Sequence, residues 1–297
     1  MDKIFLKDIK ENEVFSSSFM VMKIVYQDDQ SITAFIGDKS GEIKSIIPKT
    51  DTLEVGDVIY IEGIKDTVLK VEKFNKIKEF KMEDYLPTVN RPIEDIMDEI
   101  RAISQSEFKS EECKTLDEYF FKDESFLKKF KSGIGGLRQH HNYIGGLAEH
   151  TLNVMYLAKT FAYRYDIRYK EIAILGAKLH DIGKIEEYST NGPFSTTMIG
   201  DIQGHIVTGT LMLEEAFKSR KDFYSEEFKM RIKGCIIQHH GKVEYGSPKG
   251  ANTEEAFVVH YADYVDANLN KIEQIRSITE VGTWSEYDRR IGTKLYM

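Results

Sequence analysis

The chain has 297 residues, with 41 Lys+Arg against 49 Asp+Glu and a formal net charge of -8 at pH 7. That length suits one large or two modest domains with a real core. Net acidity argues against nonspecific coating of nucleic acid, while leaving room for a local basic groove.

No apolar run approaches the roughly 18 to 20 residues of a membrane span, and the charged start reads against a signal peptide. Cys113 and Cys235, the two cysteines, make neither a disulfide framework nor a zinc ribbon. A cytoplasmic protein with no membrane partner is therefore expected. Residues 1 to about 80 alternate between apolar and polar, with strands expected near 14–26, 32–37, 42–47, 57–64 and 68–77. Turns fall at Asp28-Asp29, at residues 37–41 and at Val55-Gly56. Five short strands, the first long enough to pair twice, resemble an OB-fold barrel, which commonly binds single-stranded nucleic acid and also serves as a docking module. Phe35, Tyr60 and Phe74 are either base-stacking residues or barrel core. Pro87 and Pro92 bracket a connector, residues 93–130 read as a charged helical bridge, and residues 133–146, with five glycines, read as a loop.

All eight histidines lie between His140 and His260, which excludes a histidine-based site from the first half of the chain. Five helical segments follow residue 146. In the first, Leu147, His150, Val154, Leu157 and Phe161 share one face. The second, residues 175–184, carries His180 and Asp181 about 100° apart, with a metal over the seam able to take both. Gly176 one turn earlier leaves room beside the imidazole, and Lys184 one turn later sets a cation above it. The third begins at Gly204-His205, with His205, Gly209, Met212 and Ala216 in one stripe. In the fourth, Phe228, Ile232, Cys235, Ile236 and His239 face inward. That phase favours His239 as a ligand and leaves His240 as an outer or substrate contact. The fifth starts near Asn252 and Thr253 and is apolar on nearly every side, so Asp263 or Asp266 inside it must be paired or metal-bound.

A lone histidine on an apolar face is ordinarily a satisfied core residue, but six such groups together argue for a metal centre. Histidine and carboxylate without thiolate suit divalent Mn, Fe, Co, Zn or Mg. The number of donors exceeds the needs of one four-coordinate ion and points to two.

Here the chain resembles the HD-domain phosphohydrolase superfamily, whose pattern of H, then HD, then D matches His150, then His180 and Asp181, then Asp263. The strings HHNYIGGLAEHTL, LHDIGK, GHIVTG, HHGKVEYGSP and HYADYVDA, following an OB-like region, resemble YhaM-type 3′-to-5′ exoribonucleases over almost the whole chain. The resemblance implies a multidomain β + α architecture. A five-stranded OB-like nucleic-acid-binding barrel would span 1–85, a connector and helical bridge 86–132, and an all-α HD helical bundle 133–297.

It further implies one ion on His150, His180, Asp181 and Asp263, with Asp181 bridging to a second ion on His205 and His239 or His240, manganese foremost. Asp181 and Lys184 would act in catalysis, Lys184 touching a phosphate oxygen unless Glu187 satisfies it. Substrate contacts would come from Arg138, His140 and His141 in the glycine-rich loop, and from Lys242 and Ser247 after His240. The implied activity removes nucleoside 5′-monophosphates from the 3′ end of single-stranded RNA. Action on single-stranded DNA and homo-oligomer formation are left open. Two competing readings are a phosphohydrolase of small nucleotides, which has no need of the barrel, and a non-catalytic nucleic-acid-binding protein, which has no need of a complete ligand set.

Overall fold

Alternation of apolar and polar residues buries one side of most of the N-terminal strands, most regularly over Ser31–Asp38 and Gly41–Pro48. In the computed structural model, which describes residues 3–137 and 141–297, these strands are β1 (Val14–Gln27), β2 (Ser31–Asp38), β3 (Gly41–Pro48), β4 (Val58–Ile64), β5 (Leu69–Lys70) and β6 (Lys73–Ile77). They form one sheet in the order β5-β3-β2-β1-β4-β6. β1 pairs twice, with β4 over residues 14–20 and with β2 over residues 20–27. Register shifts after Val21 and Ile24 bend it between its partners.

The strand count differs from the five expected because the last strand is broken at Val71 and Glu72. β5 pairs parallel with β3, and β6 pairs antiparallel with β4. The two ends of the sheet are thus joined by two residues, and the sheet curls into a half-barrel. Phe19, Val21, Ile32, Ala34, Ile36, Ile47, Ile59 and Ile61 fill its inner face, and Phe74 leans on that core. Phe35 and Tyr60 alternate with buried neighbours and lie on the other face.

From residue 93 the period is helical. The helices are α1 (Ile93–Glu107), α2 (Glu111–Phe121), α3 (Glu124–Ser132), α4 (Gly146–Arg164), α5 (Lys170–Leu179), α6 (Lys184–Glu187), α7 (Met198–Ser219), α8 (Glu226–Gln238) and α9 (Glu254–Ile278). Their starts are written in the sequence. The side chains of Ser110, Asp123, Thr197, Ser225 and Thr253 each accept a backbone N–H of the following turn, worth about 1 kcal/mol apiece. The chain divides into two compact units, 1–88 with 189–195, and 89–188 with 196–297. Residues 93–130 are not a separate bridge. Ile96, Met97, Ile100, Leu116, Phe120 and Phe130 share one apolar core with Leu147, Leu175, Ile236 and Val259, because the charges of this segment lie on one side of helices whose other side is apolar.

That core sets the helices carrying the histidines. Lys178 of α5 is buried, donates to Ser104 Oγ of α1 at 2.9 Å, pairs with Asp117 of α2 and lies 3.7 Å from the centre of the Phe121 ring. Gly176 does not make room for an imidazole. A Cβ there would stand 2.7 Å from Cys235 Sγ, so the glycine lets α5 and α8 approach. Among the described residues no helix is long and apolar enough to cross a membrane.

Candidate metal centre

Most of the expected donors sit at helix ends rather than on helix faces. α5 stops at Leu179, His180 is its C-cap, and Asp181 lies in the turn before α6, so the single helix expected over residues 175–184 does not form. The cause is a crossing. A Cβ on Gly183 would stand 2.1 Å from His205 O, so the chain passes against the α7 backbone where only glycine fits. Gly204, at φ 69° and ψ 166°, breaks α7 immediately before His205. α8 ends at Gln238, and His239 caps it, with His240 in the turn beyond. Helical phase therefore does not separate His239 from His240.

Two donor groups meet at one carboxylate. His150 Nε2 is 3.1 Å from His180 Nε2, 3.4 Å from Asp181 Oδ2 and 3.3 Å from Asp263 Oδ1, and His180 Nε2 is 3.3 Å from Asp181 Oδ2. On the other side, Asp181 Oδ1 is 3.5 Å from His205 Nε2 and 3.6 Å from His239 Nε2. His240 offers a ring nitrogen within 4.8 Å of those of His205 and His239. Atoms bonded to one ion at about 2.1 Å stand roughly 3.0–3.4 Å apart. The donor spacings are close to that edge length, and all but the 3.1 Å pair of His150 and His180 are longer than ordinary hydrogen bonds.

Hydrogen bonds on the far side of each ring fix the orientation of the imidazoles. His180 Nδ1 donates to Ala177 O at 2.7 Å and His239 Nδ1 donates to Ile236 O at 2.7 Å. A carbonyl can only accept, so Nδ1 keeps its proton and Nε2 presents a lone pair. His150 Nδ1 faces Asp266 Oδ2 at 2.6 Å, and His205 Nδ1 lies 2.8 Å from Glu187 Oε2.

Electrostatics prepare the same donors. Burial opposes ionisation of Asp181, but Lys184, His180 and His150 outweigh it and hold the carboxyl well below its ordinary range. Against the same penalty, His150 keeps Asp263 ionised, and His141 with His150 keeps Asp266 ionised. Burial lowers His150, yet hydrogen bonds to Asp181, Asp263 and Asp266 raise it well above an ordinary histidine. Burial and the neighbouring His240 push His239 well below, so it stays neutral.

The residues fit a pair of cations. Among the described residues, Asp181 Oδ1, His205 Nε2, His239 Nε2 and His240 Nδ1 are buried polar atoms without a hydrogen-bond partner, which a folded protein tolerates only at a cost. All four belong to the same cluster.

The other expected residues fare differently. Lys184 is buried and stands 2.5 Å from Asp181 Oδ2, not against Glu187. Arg138 and His140 lie outside the described residues. His141 does not present a free ring to a phosphate. It is 1% exposed, with Nε2 2.8 Å from Asp266 Oδ2 and Nδ1 2.8 Å from Tyr143 Oη. The helical unit packs around that ring and takes both nitrogens. Lys242 is exposed and reaches Glu244 at 3.3 Å. Ser247 is buried and, among the described residues, its Oγ has no hydrogen-bond partner. Asp266 and Glu187, expected only as a paired interior aspartate and as a partner of Lys184, hold the donors His150 and His205. Residues absent from the expected set stand behind them: Asn153 holds Asp266, and Tyr143 and Glu149 hold His141, which also holds Asp266.

Residues 147–268 match the HD domain family, which brings divalent-metal binding with it. The 3′-5′ exoribonuclease YhaM of Bacillus subtilis is 30% identical over 274 residues, covering 86% of this chain and 84% of that protein. Its counterpart in Bacillus licheniformis is 29% identical over the same extent. The HD domain of the L. monocytogenes phosphodiesterase PgpH is a more distant likeness, 18% identical over 53% of this chain and 76% of that one, at a TM-score of 0.32. The level of identity and its extent along both chains show that the protein belongs to the YhaM-type 3′-to-5′ exoribonuclease family, hydrolytic nucleases that carry an HD domain.

Proposed function

We propose that the protein is a metal-dependent exonuclease that takes nucleoside 5′-monophosphates from the 3′ end of single-stranded RNA, working in the cytoplasm. The observation that carries this is the Asp181 carboxylate, with one oxygen in each donor group. His150, His180, Asp181 and Asp263 would hold one ion, and Asp181, His205, His239 and His240 a second, manganese foremost. Bound there, divalent ions would supply Lewis-acid stabilisation of phosphoryl oxygens and a hydroxide at neutral pH. The chain's own part is to keep the carboxylates of Asp181, Asp263 and Asp266 ionised, to aim the Nε2 lone pairs, and to place the Lys184 ammonium beside Asp181, where a phosphate oxygen would meet it.

A single-stranded substrate is supported by the sheet of the N-terminal unit. Lys23, Phe35 and Lys44 are opposed in register across β1, β2 and β3. Tyr26, Thr33 and Ile46 form the next row, with Lys70 beside Ile46. Aromatic side chains between lysines suit a strand whose bases stack while its phosphates are neutralised. In a chain of net charge -8, such a face is a local exception. Residues 1–85 would thus act as an OB-like guide for the strand, and the helical unit would cleave it.

The deciding assay supplies Mn²⁺ and 5′-labelled single strands of RNA and DNA. A descending ladder with 5′-mononucleotides as co-product is expected, with a 3′ hairpin stalling the reaction and a 3′ phosphate slowing it. Cleavage of circular RNA would make the protein an endonuclease. Inert RNA with rapid nucleotide hydrolysis would make it a small-nucleotide phosphohydrolase.

A further inference from the structure

Two kinds of spacing surround His150. On its Nε2 side the donors stand 3.1 to 3.4 Å away, the edge of a coordination polyhedron. Its Nδ1 side is different. Asp266 Oδ2 lies 2.6 Å from His150 Nδ1 and 2.8 Å from His141 Nε2, while Asp266 Oδ1 accepts from Asn153 Nδ2 at 2.8 Å. His141, His150 and Asp266 bring three potential ligands together, but separations of 2.6 and 2.8 Å are those of atoms sharing a proton and are too short for atoms sharing an ion.

His141 is itself held hard. Its backbone N–H donates to Asn270 Oδ1 at 3.0 Å, and its Nδ1 meets Tyr143 Oη at 2.8 Å and Glu149 Oε2 at 3.3 Å. Its φ is +51°, a left-handed conformation that a side-chain-bearing residue keeps only when its surroundings impose it. His180 and His239, by contrast, give their Nδ1 protons to backbone carbonyls. A carboxylate partner fixes ring orientation as a carbonyl does, and it also makes the ring a stronger donor.

We propose that Asp266 and His141 are positioning residues for the first donor group, Asp266 orienting and strengthening His150 as a ligand and His141 locking Asp266 in place. The proposal rests on the metal-centre reading above, and calorimetric titration of metal-free full-length protein with Mn²⁺ separates the two. The native chain should bind two ions. Asp266→Asn should weaken one of them roughly 100-fold and His141→Ala roughly 10-fold, with the other ion unchanged. His141→Gln, whose amide N–H can replace Nε2–H, should recover most of the loss. Thermal unfolding of each metal-free variant is recorded alongside, and if His141→Ala does not fold, Asp266→Asn and His141→Gln carry the test. No Mn²⁺ bound by the native chain would sink the metal centre itself. Two ions bound by the native chain and equally by both variants would sink the brace alone. So would a lowered unfolding midpoint with unchanged affinities, or a His141→Gln variant no better than His141→Ala.

Discussion

The two oxygens of Asp181 face different company. Oδ2 looks onto His150 and His180 and onto the Lys184 ammonium 2.5 Å away, with a second carboxylate, Asp263, 3.3 Å from His150 Nε2 and a third, Asp266, behind His150. Oδ1 looks onto the imidazoles of His205 and His239, with His240 beside them and, among the described residues, no further carboxylate at hydrogen-bond distance from their Nε2 atoms. One shared anion thus ends in a group of two nitrogens and two oxygens and in a nitrogen-rich one of three imidazoles. On the proposed reading, the first would favour a harder ion and hold it more by charge, whereas the second, offering mostly imidazole nitrogen, would suit a borderline ion. The two should therefore differ in affinity, in metal choice and in what they release on loading.

Removing the shared anion tests the sharing itself and should give the largest effect. Asp181→Asn keeps the shape but takes charge from both groups, so both ions should weaken together. Hydrolysis of single-stranded RNA should fall on the order of 10³-fold or more, since each ion stabilises the transition state by several kcal/mol. Metal analysis, activity and circular dichroism measured on the same sample would check it. Retention of one ion at native affinity would mean that Asp181 serves only one group.

Substitution within the nitrogen-rich group should unload one ion and spare the other. His239→Ala should weaken the second ion about 100-fold, and His240→Ala about 10-fold, by extension of the losses seen when ligand-orienting partners are removed. The order follows from burial and aim, since His239 is enclosed and its Nε2 faces Asp181 Oδ1, whereas His240 is partly open to solvent. Isothermal titration with Mn²⁺ reads both sites at once. A first ion that weakens as much as the second would erase the distinction between the groups.

What could be read in advance divides along similar lines. Strands and helices were legible because each has a buried side, as Ile32, Ala34 and Ile36 show on β2 and Ile96, Met97 and Ile100 on α1. The breaks were not. The turn that carries His180 and Asp181 exists because Gly183 runs against the His205 backbone, and the last strand is split so that it can pair with both β3 and β4. Both depend on segments distant in sequence. At the site, polar residues repeating on apolar faces announced His150, His180 and Asp263. Which atom each would meet depends on side-chain direction, so His141 looked like a phosphate contact and proves to be Asp266's partner. One signal for Asp266 was present in α9, where Asp263, Asp266 and Asn270 fall at helical spacing within an otherwise apolar face.

Protons should distinguish the two groups more gently. His150 is raised above the ordinary histidine value, so at pH 7 the metal-free first group carries a proton that an incoming ion must displace. Affinity there should fall about tenfold for each pH unit below that raised value, because metal and proton compete for one nitrogen. His239 is lowered and already neutral at pH 7, so it adds no such slope until the pH drops below the ordinary histidine range. Asp181 and Asp263, both lowered, are ionised throughout. Calorimetry in two buffers of different protonation enthalpy should give one proton released by His150 with the first ion and none from His239 with the second. Equal release from both groups would contradict the asymmetry.

The smallest effect is expected where neither group is touched, and it guards the comparison against a trivial explanation. Phe35 lies on the outer face of β2 between Lys23 and Lys44, and the described residues of the N-terminal unit contribute no donor to either group. Replacing it with alanine removes a stacking surface worth about 1 kcal/mol at the lower end of base–aromatic contacts, roughly a fivefold loss in affinity for a long single strand. Lys44→Glu should also flatten the dependence of binding on salt, by about 0.7 in the log–log slope if this lysine neutralises one phosphate. Both variants should bind two Mn²⁺ as the native chain does and cleave a short phosphodiester at the native rate. Equal losses on long and short substrates would show that the sheet acts on the centre through the fold rather than on the strand, and the differences assigned to the two sides of Asp181 would then have to be measured again with the sheet intact.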